Sequence, residues 1–129
     1  MSAISMMKPA DGPEGIVDFI VETVKKAGPN PCPPTIIGVC VGGTMDQASV
    51  VAKKATLRKI GEYNSDPRYA KMEKEALKKI NNLGIGPAGL GGNTTSLWVS
   101  IDYKPTHIAS MPVAVNVCCH ADRHAHGEI

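Results

Sequence analysis

Cys118-Cys119-His120, with His124 and His126, gathers five soft or borderline metal ligands within nine residues. That density points to metal chemistry, and it equally suits a buried thiol pair beside a solvated histidine tail. Two further cysteines, Cys32 and Cys40, lie far upstream. Zinc favours paired spacings such as two cysteines separated by two residues, and the chain offers none. Iron-sulfur clusters accept dispersed thiolates, because the fold can gather cysteines that are distant in sequence. Cys118 and Cys119 are adjacent, where a disulfide would be strained, and no secretory signal precedes them; reduced thiols or metal ligands are the better reading.

Two glycine motifs could cradle an anion. Gly42-Gly43-Thr44 follows an apolar run and precedes a helical pattern, so a carboxylate or phosphate could meet backbone amides at the helix start. The same residues make an ordinary tight turn with a threonine cap. Gly84-Ile85-Gly86-Pro87-Ala88-Gly89 matches the dinucleotide fingerprint by letter, but it follows a helix and precedes a strand, the reverse of the order that aims helix amides at a pyrophosphate. A glycine-rich loop is the expectation there.

The elements that must position these residues are legible in periodicity. Asp11 to Ala27 reads as a helix capped by Asp11, with Ile16, Ile20, Val24 and Ala27 on one face and Gly28 as its stop. Four prolines make Asn30 to Thr35 a stiff extended segment that carries Cys32. Ile36 to Val41 reads as a buried strand, and Thr44 with Gln47 as the capping box of a second helix, running to Ile60-Gly61 with Ala48, Val51, Ala52 and Ala55 on one face. Asp66-Pro67 starts a third helix with Tyr69, Met72, Ala76, Ile80 and Leu83 as its stripe, before Gly84. Leu97 to Tyr103 alternates at period two, and Val113 to Val117 forms a further short apolar run. The expected fold is α/β (or α+β), one domain over residues 1–129 with about three helices and a mixed sheet of at least three strands. Residues 1–10 are expected to be a flexible lead.

The net charge of +2, with acids and bases interleaved along the helices, excludes a nucleic-acid footprint. No apolar run approaches the length of a membrane span, and a cytoplasmic protein is the expectation.

Taken together, Asn30-Pro31-Cys32-Pro33-Pro34, Ile37-Gly38-Val39, Gly42-Gly43-Thr44, Leu83-Gly84-Ile85-Gly86-Pro87 and Gly89-Leu90-Gly91-Gly92 resemble the alpha region of class I fumarases and the related tartrate dehydratases. Pro105-Thr106-His107-Ile108-Ala109, Pro112-Val113-Ala114-Val115-Asn116 and Cys119-His120-Ala121-Asp122-Arg123-His124 continue the resemblance, in the same order, from Met7 to Gly127. It implies an oxygen-sensitive 4Fe-4S cluster held by three cysteines, of which Cys32 and Cys119 match two. Cys40 and Cys118 match positions where the family often has other residues, and the third ligand of the family lies upstream of anything in this chain.

The resemblance also implies that His107 hydrogen-bonds a dicarboxylate substrate, with Gly42, Gly43, Thr44 and Arg123 as further contacts; an ordinary salt bridge is the alternative for Arg123. It assigns no proton-transfer residue here. By this reading the chain is the C-terminal portion of a fumarase-type alpha region: a truncated chain, a split gene product or an isolated domain. It would hydrate fumarate to malate only in an oligomer with the upstream alpha segment and a beta subunit, and would be inactive alone. Tartrate dehydration is the nearest alternative, although Ser2 to Asp11 is more similar to the fumarase members. A reading from another class is a non-catalytic zinc-binding domain using Cys118, Cys119, His120 and His124.

Overall fold

The computed structural model describes residues 1–122 and 125–129. Among them, four strands form one mixed sheet: β1 (Ala3–Met7), β2 (Thr35–Gly42), β3 (Ser96–Lys104) and β4 (Met111–Cys118), in the order β1-β4-β2-β3. β2 runs parallel to β3, and β4 runs antiparallel to both of its neighbours, β1 and β2. Three helices cover the sheet: α1 (Gly12–Ala27), α2 (Met45–Ala55) and α3 (Pro67–Asn81). This matches the expected α/β class and helix number.

All eight residues of β2 are buried, which is why Ile36 to Val41 is apolar without alternation: a central strand covered on both faces needs no polar side. Ile37, Val39 and Val41 point to the face covered by α1 and α3, where Ile16, Ile20, Val24, Met72, Ala76 and Ile80 complete the main core. Cys40 points to the other face, among Ala48 and Ala52 of α2 and Ala114 of β4. The small side chains on that face let α2 lie close to the sheet. At Gly38 a Cβ would stand 2.1 Å from the Ala52 carbonyl oxygen, so glycine is required by backbone approach.

The chain changes faces between α2 and α3 by passing around the open edge of β3. Glu73, with its side chain fully buried, accepts from Arg58 Nη1 at 2.5 Å, from the Asn64 amide at 2.9 Å and from the Ile101 amide at 2.7 Å. Asn64 Nδ2 and Arg58 Nη2 both donate to the Ile101 carbonyl, and Arg58 also pairs with Asp102. Both outward backbone groups of Ile101 are thus satisfied by side chains, which covers the middle of an edge that would otherwise offer free donors and acceptors there.

Three local expectations are corrected. Ala3–Met7, expected within a flexible lead, is an edge strand whose Ile4 and Met6 face outward while Ala3, Ser5 and Met7 are half-buried. The second helix ends at Ala55, because the Thr56 hydroxyl and amide both turn back to the Lys53 carbonyl. The first helix is not capped by the Asp11 side chain, whose carboxylate instead accepts from the Lys8 amide at 2.8 Å.

Candidate functional site

Cys32 sits on the loop between α1 and β2, 87 positions before Cys119, and the sheet brings the two segments together. β2 begins three residues after Cys32, and β4 ends one residue before Cys119, with Ile36 opposite Cys118 in the antiparallel register. His120 then meets Cys32 directly: its Nδ1 lies 3.4 Å from the Cys32 carbonyl oxygen. Both thiols are free and reachable, Cys32 exposed and Cys119 half-buried. The Cys119 sulfur accepts from the Ala121 amide at 3.4 Å, a donor of the kind that stabilises a metal-bound thiolate.

The Cys32 loop is not the extended segment that its prolines suggested. Pro33-Pro34 is a cis bond, Cys32 has φ +54, and the Cys32 amide turns back to the Pro29 carbonyl at 3.1 Å. A positive φ is uncommon for a residue with a Cβ and persists where the surroundings fix it.

The other two cysteines have different surroundings. Cys40 is fully buried under α2, and burial first, then the nearby Asp102 carboxylate, pushes its thiol up to about 11. Cys118 lies on the α2 face, 4.0 Å from Lys53 Nζ, and burial raises its thiol above the ordinary range. Neither lies on the Cys32 loop. Among the described residues no three of His, Cys, Asp and Glu converge as a metal site. The zinc set of Cys118, Cys119, His120 and His124 is not assembled there, and its His124 lies outside the described residues. Cys32 and Cys119 are of the residue type that an iron-sulfur cluster takes as ligands, and their segments meet at one end of the sheet.

His107 and the Gly42-Gly43-Thr44 turn lie at the opposite end of β2. A strand of eight residues is roughly 23 Å from first to last Cα, so these groups cannot share a pocket with the two thiols within one chain. At their end, the Gly43 amide donates to the Pro105 carbonyl at 3.2 Å, and the Thr106 hydroxyl reaches the carbonyls of Gly43 and Ser110. An open cleft of about 450 Å³ is lined there by Met6, Thr44, Met45, Thr106, His107 and Pro112, among others.

The amides expected to receive an anion are already engaged. Gly43 bonds to Pro105, the Thr44 amide bonds to Gln47 Oε1 at 3.4 Å, and the protein's own Asp46 carboxylate occupies the start of α2. The Thr44 hydroxyl and the first amides of α2 hold Asp46 below the usual carboxylate range. Gly42 is required for another reason: a Cβ there would stand 2.1 Å from the Lys104 carbonyl oxygen. No sequence signal separated an internally filled helix start from an open one.

His107 is exposed, and its Nδ1 accepts from the Ala109 amide at 3.1 Å. A neutral ring that accepts at Nδ1 carries its proton at Nε2, which leaves one donor. Arg123 lies outside the described residues. The dinucleotide-like Gly84 to Gly89 stretch is a loop, as expected, with its short helical turn at Pro87–Gly89. Among the described residues no helix is long and apolar enough to cross a membrane.

A family model described as fumarate hydratase (fumerase) matches residues 1–128. The putative L(+)-tartrate dehydratase subunit alpha of Methanocaldococcus jannaschii is 54% identical over 125 residues, covering 97% of this chain and 44% of that protein. The L(+)-tartrate dehydratase subunit alpha of Escherichia coli K12 is 36% identical over 118 residues, 92% of this chain and 39% of that protein. The chain spans less than half the length of these curated relatives. With the family model covering residues 1–128, the chain belongs to the fumarate hydratase (fumerase) family.

Proposed function

We propose that the chain is the C-terminal portion of the alpha part of an iron-sulfur hydro-lyase in the cytoplasm, acting on a dicarboxylate together with an upstream alpha segment and a beta subunit. The observation that supports this reading most is the junction of the Cys32 loop with the Cys119-His120 segment. Cys32 and Cys119 would supply two of three thiolates, and the third would come from the upstream segment. Such a cluster would supply a Lewis acid toward carboxylate and hydroxyl oxygens, suited to adding or removing water without net redox change.

The chain's own contribution is to hold the two thiols in place and to offer a carboxylate donor. His107, exposed and with Nδ1 taken by the Ala109 amide, keeps Nε2 for a ligand and is suited to hydrogen-bond a substrate carboxylate. Because it lies at the far end of β2, it would do so across an interface, meeting a substrate held at the cysteine end of another copy in the oligomer. The internally bonded Gly43 and Thr44 amides have no part in this reading.

Fumarate is the substrate proposed from the resemblance; L(+)-tartrate is the second reading, favoured by the names of the relatives. The test is an anaerobically loaded assembly of this chain with its two partners, assayed for hydration of fumarate and dehydration of L(+)-tartrate. Turnover of one of them by the assembly, and of neither by the chain alone, is expected. A cluster-loaded assembly that turns over neither would overturn the proposal.

A further inference from the structure

Cys32 is held in a sparsely populated backbone conformation, and what fixes it is the glycine-rich loop between α3 and β3. The Ala88 amide donates to the Pro33 carbonyl at 2.8 Å, just after Cys32. Gly89 presses on Pro29, just before it: a Cβ at Gly89 would stand 2.2 Å from Pro29 Cβ. The loop therefore grips both flanks of the Cys32 turn.

The loop is itself anchored to the sheet. The Gly86 amide donates to Thr95 Oγ1 at 3.1 Å, and the amides of Thr95 and Ser96 both donate to Asn81 Oδ1 at 2.9 Å. The Thr95 carbonyl accepts from the Thr35 amide at 3.0 Å, and the Thr35 hydroxyl bonds to Ser96 Oγ at 2.7 Å. Within the loop, the Gly91 amide donates to the Ile85 carbonyl at 2.8 Å, and Gly86 packs so tightly on Gly91 that a Cβ would stand 2.1 Å from its carbonyl. Ala88, at φ +56, shares the unusual backbone of Cys32. The Ala88 amide bonds the carbonyl of the residue that follows Cys32, so the two positive-φ positions are tied to one another through Pro33.

We propose that the Gly84–Gly92 loop is a positioning clamp for Cys32, in which Ala88 and Gly89 hold the Pro29–Pro33 turn so that the Cys32 backbone stays against the Cys119-His120 segment. The consequence for metal binding rests on the reading of Cys32 as a cluster ligand; the clamp itself does not.

The test compares Gly89→Ala with Gly91→Ala. Both glycines have positive φ, so both substitutions strain the backbone, but a Cβ at Gly91 meets nothing within 4 Å while one at Gly89 meets Pro29. Amide hydrogen exchange is measured at Cys32 in the full chain, with the urea midpoint as the control for global stability. Gly89→Ala is expected to speed Cys32 exchange at least about tenfold more than Gly91→Ala does. Equal effects of the two substitutions would overturn the clamp.

Should Gly89→Ala fail to fold, Thr95→Val takes its place: it removes the acceptor of the Gly86 amide with little change of shape, and the same acceleration at Cys32 is expected. Protection unchanged in Thr95→Val would then overturn the proposal. In the loaded assembly, Gly89→Ala is expected to release iron to a chelator several-fold faster than Gly91→Ala. If Cys32 proves not to be a ligand, iron release will be the same in both variants while exchange at Cys32 still differs, so the two failures are distinguishable.

Discussion

His107 is fixed by a bond to its own loop, and that bond determines what else it can do. With Nδ1 taken by the Ala109 amide, only Nε2 is left to face a ligand, as a donor when the ring is neutral. In the complete assembly, His107→Ala is expected to keep the cluster spectrum while kcat/KM for the dicarboxylate falls by about 1.5 to 3 kcal/mol, roughly 10- to 150-fold, the worth of a hydrogen bond to a charged group. Steady-state kinetics over a range of substrate concentrations checks this, and unchanged kinetics would return His107 to a purely structural role. At this scale the sequence was informative about residue type and uninformative about occupancy. Cys32 and Cys119 stood out, and the fold joins their segments. That Asp46 fills the start of α2, or that Cys32 sits at positive φ, depends on contacts among residues whose spacing carries no such signal.

Among the elements, the helices and the strands β2 to β4 were readable because each has a periodic or continuous apolar pattern. β1 was not, since a five-residue edge strand with Ser5 and two outward apolar residues has no distinctive pattern until β4 pairs with it. Nor was the closure of the β3 edge, which depends on Arg58, Asn64 and Glu73 meeting from two segments. This closure is open to a direct test. Arg58→Met removes the cation from a carboxylate that stays fully buried, so unfolding free energy is expected to drop by about 3 kcal/mol, the order found when one partner of a buried pair is lost. Urea denaturation reports it; a loss within 0.5 kcal/mol, the usual range for surface changes, would mean that the Asn64 and Ile101 amides alone satisfy Glu73.

At the scale of the whole molecule, the sheet separates two kinds of chemistry. Thiols gather where β2 begins and β4 ends; the donor histidine and its cleft lie where β2 ends and β4 begins. Under the proposed function a single copy would offer half of a site at each end, and activity would belong to an assembly; the chain spans less than half the length of its curated relatives. Sequence periodicity could not reveal this separation, because the motifs that resemble the family carry order along the chain and not distance in space.

The central claim is that Cys32 and Cys119, and neither Cys40 nor Cys118, bind the cluster. The most direct measurement is bound iron and acid-labile sulfide in the anaerobically loaded assembly, compared among four serine variants. Cys32→Ser and Cys119→Ser are expected to lose the cluster, while Cys40→Ser and Cys118→Ser keep the wild-type amount. Retention of a full cluster in Cys119→Ser, or its loss in Cys118→Ser with the fold intact, would contradict the account.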